Sequence, residues 1–143
     1  MGEAREVMDR VTEAALSKDS EALKALYAPD AVAETPDQGT INGADGVVAY
    51  LGEFLTAFPD ASFESTNKHE SGADAVDEGY FVGTHTGPLT GPGGETIEGT
   101  GKSLRLRSCD IATVDGGVVK SHRFYFDNMD FLGQLGLAPG PDA

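Results

Sequence analysis

Cysteine occurs once in the chain, at Cys109, so no internal disulfide can form and nothing suggests the cross-linked framework of a small extracellular domain. Basic residues are also scarce, 10 against 24 acidic ones, for a formal net charge of -14. A polyanion is repelled by such a chain on average, which argues against nucleic acid and against an anionic bilayer as partners. The carboxylates are scattered and form no single block, so their plainest role is solubility. No apolar run approaches the roughly 18 residues of a membrane span. The first residues, Met1 to Glu6, are charged and lack the apolar stretch of a signal peptide, and Glu6 stands where a myristoylation motif needs Ser or Thr; a cytoplasmic protein is the expectation. His69, His85 and His122 have no metal-ligand spacing with acids or with Cys109, so neither a metal nor another cofactor is expected. The Gly-rich stretch from Gly87 to Gly94 lacks the Lys and Ser/Thr ending of a phosphate loop and reads as a hairpin loop over a pocket mouth.

What the 143 residues do contain is a change of period. Ala4, Val7, Met8, Val11, Ala14 and Ala15 recur at helical spacing, with Glu3, Arg5, Glu6, Asp9, Arg10 and Glu13 mostly off that stripe, predicting an amphipathic helix over about 3–18. Asp19 or Ser20 can cap a second, short helix that buries Leu23, Leu26 and Tyr27 and stops at Ala28-Pro29-Asp30. Ala31 to Thr35 reads as a brief strand and Pro36 to Gly39 as a turn; Asn42 then opens a third helix whose apolar face is Val47, Val48, Leu51, Phe54, Leu55 and Phe58. From Ala61 the pattern is extended: Ala61–Glu70, Ala75–Thr86, Thr96–Val114 and Val118–Asp127 suit strands, and Asp115-Gly116-Gly117 is the strongest hairpin signal between them. A helical turn follows at the end. The organisation predicted is a single α+β domain over 1–137 with a flexible tail at 138–143, its antiparallel or mixed sheet curved around an interior and packed against three N-terminal helices.

That order, with Tyr125-Phe126-Asp127 closing a strand and Phe131-Leu132-Gly133-Gln134-Leu135-Gly136-Leu137 behind it, resembles the SnoaL-like polyketide cyclase branch of the nuclear-transport-factor-2-like (NTF2-like) superfamily. Gly83-Thr84-His85-Thr86-Gly87-Pro88-Leu89 resembles the same branch's middle strand and loop. The resemblance implies a cone-shaped fold, a homodimer through the outer sheet surface, a hydrophobic small-molecule substrate, and an acidic residue at the end of a late strand that serves as acid and base in an intramolecular aldol ring closure. Asp127 matches that position. The same superfold hosts isomerases, epoxide hydrolases and non-catalytic binding proteins.

The candidate catalytic residues are therefore Asp127, His85 and Tyr125. Alternation puts Arg123, Tyr125 and Asp127 on one strand face and His122, Phe124 and Phe126 on the other. If the first face lines the interior, Asp127 is a carboxylate in an apolar pocket, with Tyr125 a donor to a developing oxyanion. If the second does, Asp127 caps the following helix. His85 could polarise a carbonyl or relay a proton with Asp127. His122 is assigned to the outer sheet or a dimer surface, and Cys109 to core or cavity lining alongside Arg105 and Arg107. An epoxide hydrolase needs two carboxylates joined through an arginine; Cys109 stands where the second carboxylate is sought after Arg107, and Asp110 falls on the other face. An isomerase of the ketosteroid type would have to draw on Asp37 and Tyr27.

Overall fold

A computed structural model describes residues 2–91 and 94–137 of the chain; the tail expected at 138–143 lies outside the described residues. The elements in order are α1 (Glu3–Leu16), α2 (Ser20–Ala25), β1 (Tyr27–Thr35), β2 (Gly39–Asn42), α3 (Ala44–Ala57), β3 (Ser62–Ser71), β4 (Asp74–Thr84), β5 (Leu89–Thr90), β6 (Thr96–Ile97), β7 (Ser103–Asp115), β8 (Val118–Phe126) and α4 (Asn128–Gln134). Six strands form one curved mixed sheet in the order β2-β1-β8-β7-β4-β3, in which only β1 and β8 run parallel, and β5 with β6 makes a separate two-stranded ribbon. This is the α+β architecture that the change of period predicts.

The apolar stripe of α1 is buried at Ala4, Val7, Met8, Val11 and Ala14, and α1 lies across β4 and β7. Asp19 caps α2 by accepting from the Ala22 amide at 3.1 Å. Three departures from the sequence pattern stand out, the first two with a backbone reason. Pro29 does not end an element but sits inside β1, where pairing to β8 jumps from Tyr27 to Val32; a residue with no N–H is tolerated where the ladder is interrupted. Asn42 closes β2, a strand that short length and turn-like flanks conceal, and α3 starts behind Gly43 with φ 90°, without a side-chain cap. The long extended stretch 96–114 divides into β6 and β7.

The hairpin at Asp115-Gly116-Gly117 forms as expected, with φ of 61° and 80° at the two glycines. Just beyond it a bulge decides the geometry of the interior. Thr113 pairs with Ser121 but Val114 pairs with Val119, leaving Lys120 as an extra, exposed residue. Val119 and His122, three apart, therefore both point inward, and from there alternation carries Phe124 and Phe126 to the inner face. On β7 the inner positions are Leu104, Leu106, Ser108, Asp110, Ala112 and Val114; on β4 they include Ala75, Asp77 and Phe81. Two apolar cores meet around this interior, one built on α1, β1 and the inner ends of β7 and β8, the other on Phe58, Leu104, Leu106, Phe131 and Leu135.

Candidate active site

Between the helices and the inner sheet face lies a cavity of about 150 Å³. Its walls are Val11 and Ala15 of α1, Tyr50, Leu51, Phe54 and Leu55 of α3, and Phe81, Leu106, Phe124 and Phe126 of the sheet. The rings interlock edge-on: Phe54 meets Tyr50, Phe81 and Phe126 at centroid distances of 5.2, 6.1 and 6.2 Å. Against this apolar surround stands a small polar group, Asp77, Ser108, Asp110 and His122. Among the described residues lining the cavity there is no lysine or arginine.

His122 is 2% exposed and holds two short hydrogen bonds. Its Nε2 is 2.6 Å from Asp110 Oδ2, and its Nδ1 is 2.6 Å from the hydroxyl of Tyr27, itself 3% exposed. The ring also stacks on Phe124 at 4.1 Å. Burial, reinforced by the charge of Asp110, pushes the Tyr27 phenol well above its ordinary value, so it keeps its proton.

Asp77 is the cross-strand partner of Asp110. Burial raises its pKa, the charge of Asp110 raises it further, and Arg5 opposes both. Arg5 was the surprise of α1: placed off the apolar stripe by the sequence pattern, it is 2% exposed. Its guanidinium turns under the helix, with Nη2 2.6 Å from Asp77 Oδ1 and 2.8 Å from Asp9, while Nη1 donates to the carbonyls of His69 and Val76 at 3.4 and 3.2 Å. The contact to Asp77 is ionic and off the N–H axis, so Asp77 Oδ1 has no directed hydrogen bond.

The three residues nominated from sequence are not brought together. Asp127 is exposed and caps α4, accepting from the amides of Met129 and Asp130 at 2.9 and 3.1 Å. Tyr125 is 53% exposed, on the outer face by alternation, although it also borders the cavity. His85 is fully buried but is not among the cavity-lining residues; it lies 5.4 Å from the Phe58 ring, and its Nδ1 accepts from the Thr100 amide at 3.2 Å. Burial lowers its pKa. His122 is the reverse case, inside where the sequence pattern put it outside. Arg105 and Arg107 are exposed on the outer face, whereas Cys109 is half-buried and borders the cavity, as the cavity-lining reading expects. Asp37 accepts from the Tyr50 hydroxyl at 2.8 Å, and Tyr27 instead bonds His122.

Asp77 has no place among the residues read from the sequence, and Asp110 enters there only as a possible second carboxylate on the face away from Arg107. A signal for Asp110 was there: it shares the parity of Leu104, Leu106, Ala112 and Val114, so a carboxylate interrupts an otherwise apolar face. Asp77 does the same between Ala75 and Phe81. Among the described residues no three His, Cys, Asp or Glu side chains converge closely enough to hold a metal ion, and no helix is long and apolar enough to cross a membrane.

The model of the SnoaL-like polyketide cyclases matches residues 5–135, nearly the whole chain. This chain belongs to the SnoaL-like polyketide cyclase family. Its fold is NTF2-like, shared with solved structures at low identity. A candidate SnoaL-like polyketide cyclase from Jannaschia sp. CCS1 superposes with a TM-score of 0.82 at 16% identity, covering 96% of this chain and 94% of that one. IdmH from Streptomyces antibioticus, a candidate polyketide cyclase, gives 0.76 at 25% identity over 93% and 98%. AclR from Streptomyces galilaeus, a candidate hydroxylase, gives 0.78 at 21% identity over 96% and 83%. No curated protein matches the chain.

Proposed function

We propose that this SnoaL-like protein catalyses cofactor-independent ring closure of a hydrophobic carbonyl compound by an intramolecular aldol reaction, with the Asp110–His122 pair moving the proton. The observation that carries the reading is that pair, hydrogen-bonded at 2.6 Å on the inner wall of an apolar cavity. In the first step the pair takes a proton from a carbon between or beside carbonyls, and the C–H electrons become an enolate. The enolate carbon then bonds to a second carbonyl carbon of the same molecule; the C=O π electrons become an alkoxide, which takes the proton back. Neighbouring carbonyls delocalise the enolate, so the protein has to fold the chain, exclude water and hold one proton.

The cavity of about 150 Å³ matches one that takes a single benzene ring, so the reacting segment is of that size and the rest of the substrate extends through the mouth. The absence of a lining cation argues for a neutral reacting segment. The test is ring closure of an aryl-substituted 1,5-diketone followed by chromatography and mass spectrometry. Wild-type protein is expected to accelerate closure and Asp110→Asn to abolish the acceleration; an Asp110→Asn protein as active as wild type overturns the reading.

A second reading has an observation of its own. Asp77 and Asp110 are paired carboxylates on the cavity face with Arg5 against Asp77, an arrangement that could hold and activate a water for epoxide opening. Incorporation of ¹⁸O from labelled water into a diol product distinguishes it from cyclisation. For assembly we propose a homodimer through the outer sheet face, where Tyr125 is exposed and Arg105 lies 3.6 Å over the Tyr80 ring, and for location the cytoplasm, where the unpaired Cys109 stays reduced.

A further inference from the structure

The pair Asp110–His122 leaves open which member meets the substrate, and a third residue decides it. We infer that Tyr27 is a positioning residue that pins His122, so that Asp110 is the group presented to the substrate and His122 stands behind it. This rests on the site proposed above and assigns the roles within it.

An imidazole has two nitrogens, and here both are taken. An ionised carboxylate is acceptor-only, so the Nε2 facing Asp110 at 2.6 Å carries a proton. In the neutral ring Nδ1 is then the acceptor, and the Tyr27 hydroxyl, which keeps its proton in this buried place, donates to it at 2.6 Å. If the ring gains a second proton, Nδ1–H donates to the phenol oxygen and Nε2 stays on Asp110. In neither state does a ring nitrogen face the cavity. Asp110 differs: only Oδ2 is bound by His122, the side chain retains 21% exposure, and among the described residues nothing hydrogen-bonds Oδ1. The order is that of a serine-protease triad turned round, with the carboxylate outermost and the hydroxyl at the buried end.

The placement of Tyr27 follows from the fold. Tyr27 opens β1 as the partner of Val119, and Ala33 is the residue level with His122; the interruption at Pro29 lets Tyr27 reach back to the ring. The two rings are near-parallel, 22° apart with centroids at 5.9 Å, so removing the hydroxyl leaves the ring packing in place.

The experiment uses Tyr27→Phe in protein labelled with ¹⁵N in the histidine rings. In wild type the His122 Nε2–H should appear as a sharp, water-protected proton. In Tyr27→Phe that proton should exchange with water at least about tenfold faster, and kcat for diketone closure should fall about tenfold with KM unchanged, the lower end of the loss of about 10–100-fold found on removing a hydrogen-bond partner that orients a ligating histidine. Loss of stability alone would speed the exchange of other buried amides as well, and would leave unchanged a kcat taken per folded molecule. A wild-type ring protonated on Nδ1 only, or a Tyr27→Phe protein with unchanged exchange, overturns the inference. A protected Nε2–H that Tyr27→Phe releases, together with a fully active Asp110→Asn, would instead uphold the hold of Tyr27 on the ring and count against the proposed chemistry.

Discussion

Replacing Arg5 with methionine should be among the most damaging single changes in the molecule. Arg5 and Asp77 are 2% and 3% exposed, and the guanidinium also serves two backbone carbonyls. Methionine fills much of the volume but leaves Asp77 as a buried carboxylate without its cation. Breaking a buried pair in this way costs about 3–5 kcal/mol, a large part of the about 5–15 kcal/mol that holds a domain folded. Asp9, 44% exposed and still 3.1 Å from Lys68, rehydrates and adds little. In a urea titration with a slope of about 2 kcal/mol/M the midpoint should fall by about 2 M. The double variant Arg5→Met/Asp77→Leu, which removes both charges, should recover most of that loss. The pH dependence gives a second check. With the Asp77 pKa raised above 3.8 in the fold, the folded state binds the proton more readily than the unfolded one, so stability falls as pH rises through that interval. Removing Arg5, which opposes the rise, extends the interval upward, and the deficit of Arg5→Met should therefore shrink as the pH is lowered toward 3.8. An Arg5→Met protein within about 1 kcal/mol of wild type, or a double variant no better than the single one, would refute the argument.

Three further outcomes follow from the placement of the nominated residues. Asp127→Ala should cost about 1 kcal/mol by uncapping α4, whereas Asp127→Asn keeps the cap and should keep turnover; loss of turnover in Asp127→Asn at wild-type stability would return Asp127 to the chemistry. His85→Leu should destabilise by about 1–3 kcal/mol through the unpaired Thr100 amide. Because burial lowers the His85 pKa below 6.5, the stabilisation is complete above that value and is lost as pH falls from there through the folded value, so wild type should weaken in that window more than His85→Leu does. Tyr125→Glu should turn the proposed dimer into a monomer in sedimentation equilibrium, and an unchanged mass would move the interface elsewhere.

How much of this was legible follows from what periodicity can carry. The stripe on α1, the Asp-Gly-Gly hairpin and the helices-then-strands order are local patterns, and each is in place. The start of β1 was hidden because Pro29 is a breaker only where the ladder is continuous. Arg5 looked like a solvent residue because its partner, Asp77, is 72 positions along the chain. Alternation gave the two faces of β8 without ranking them, since inward and outward depend on the neighbouring strand and on a bulge with no composition of its own. The polar interruption at Asp110 was visible in the parity of β7, but only once the inner face was taken to be the one holding the leucines.

The extra residue at Lys120 has a consequence for how such a site could change over time. With it, Val119 and His122 share the interior. Were Lys120 absent, Val119 and His122 would stand two apart, and plain alternation would keep both, with Phe124 and Phe126, on the inner face. Were the residue kept and the bulge straightened, alternation could hold only one of the two inside, and holding Val119 there would turn Arg123 and Tyr125 to the cavity. One strand thus spells two different binding walls, and the pairing register at a single position, rather than any substitution, selects which is read.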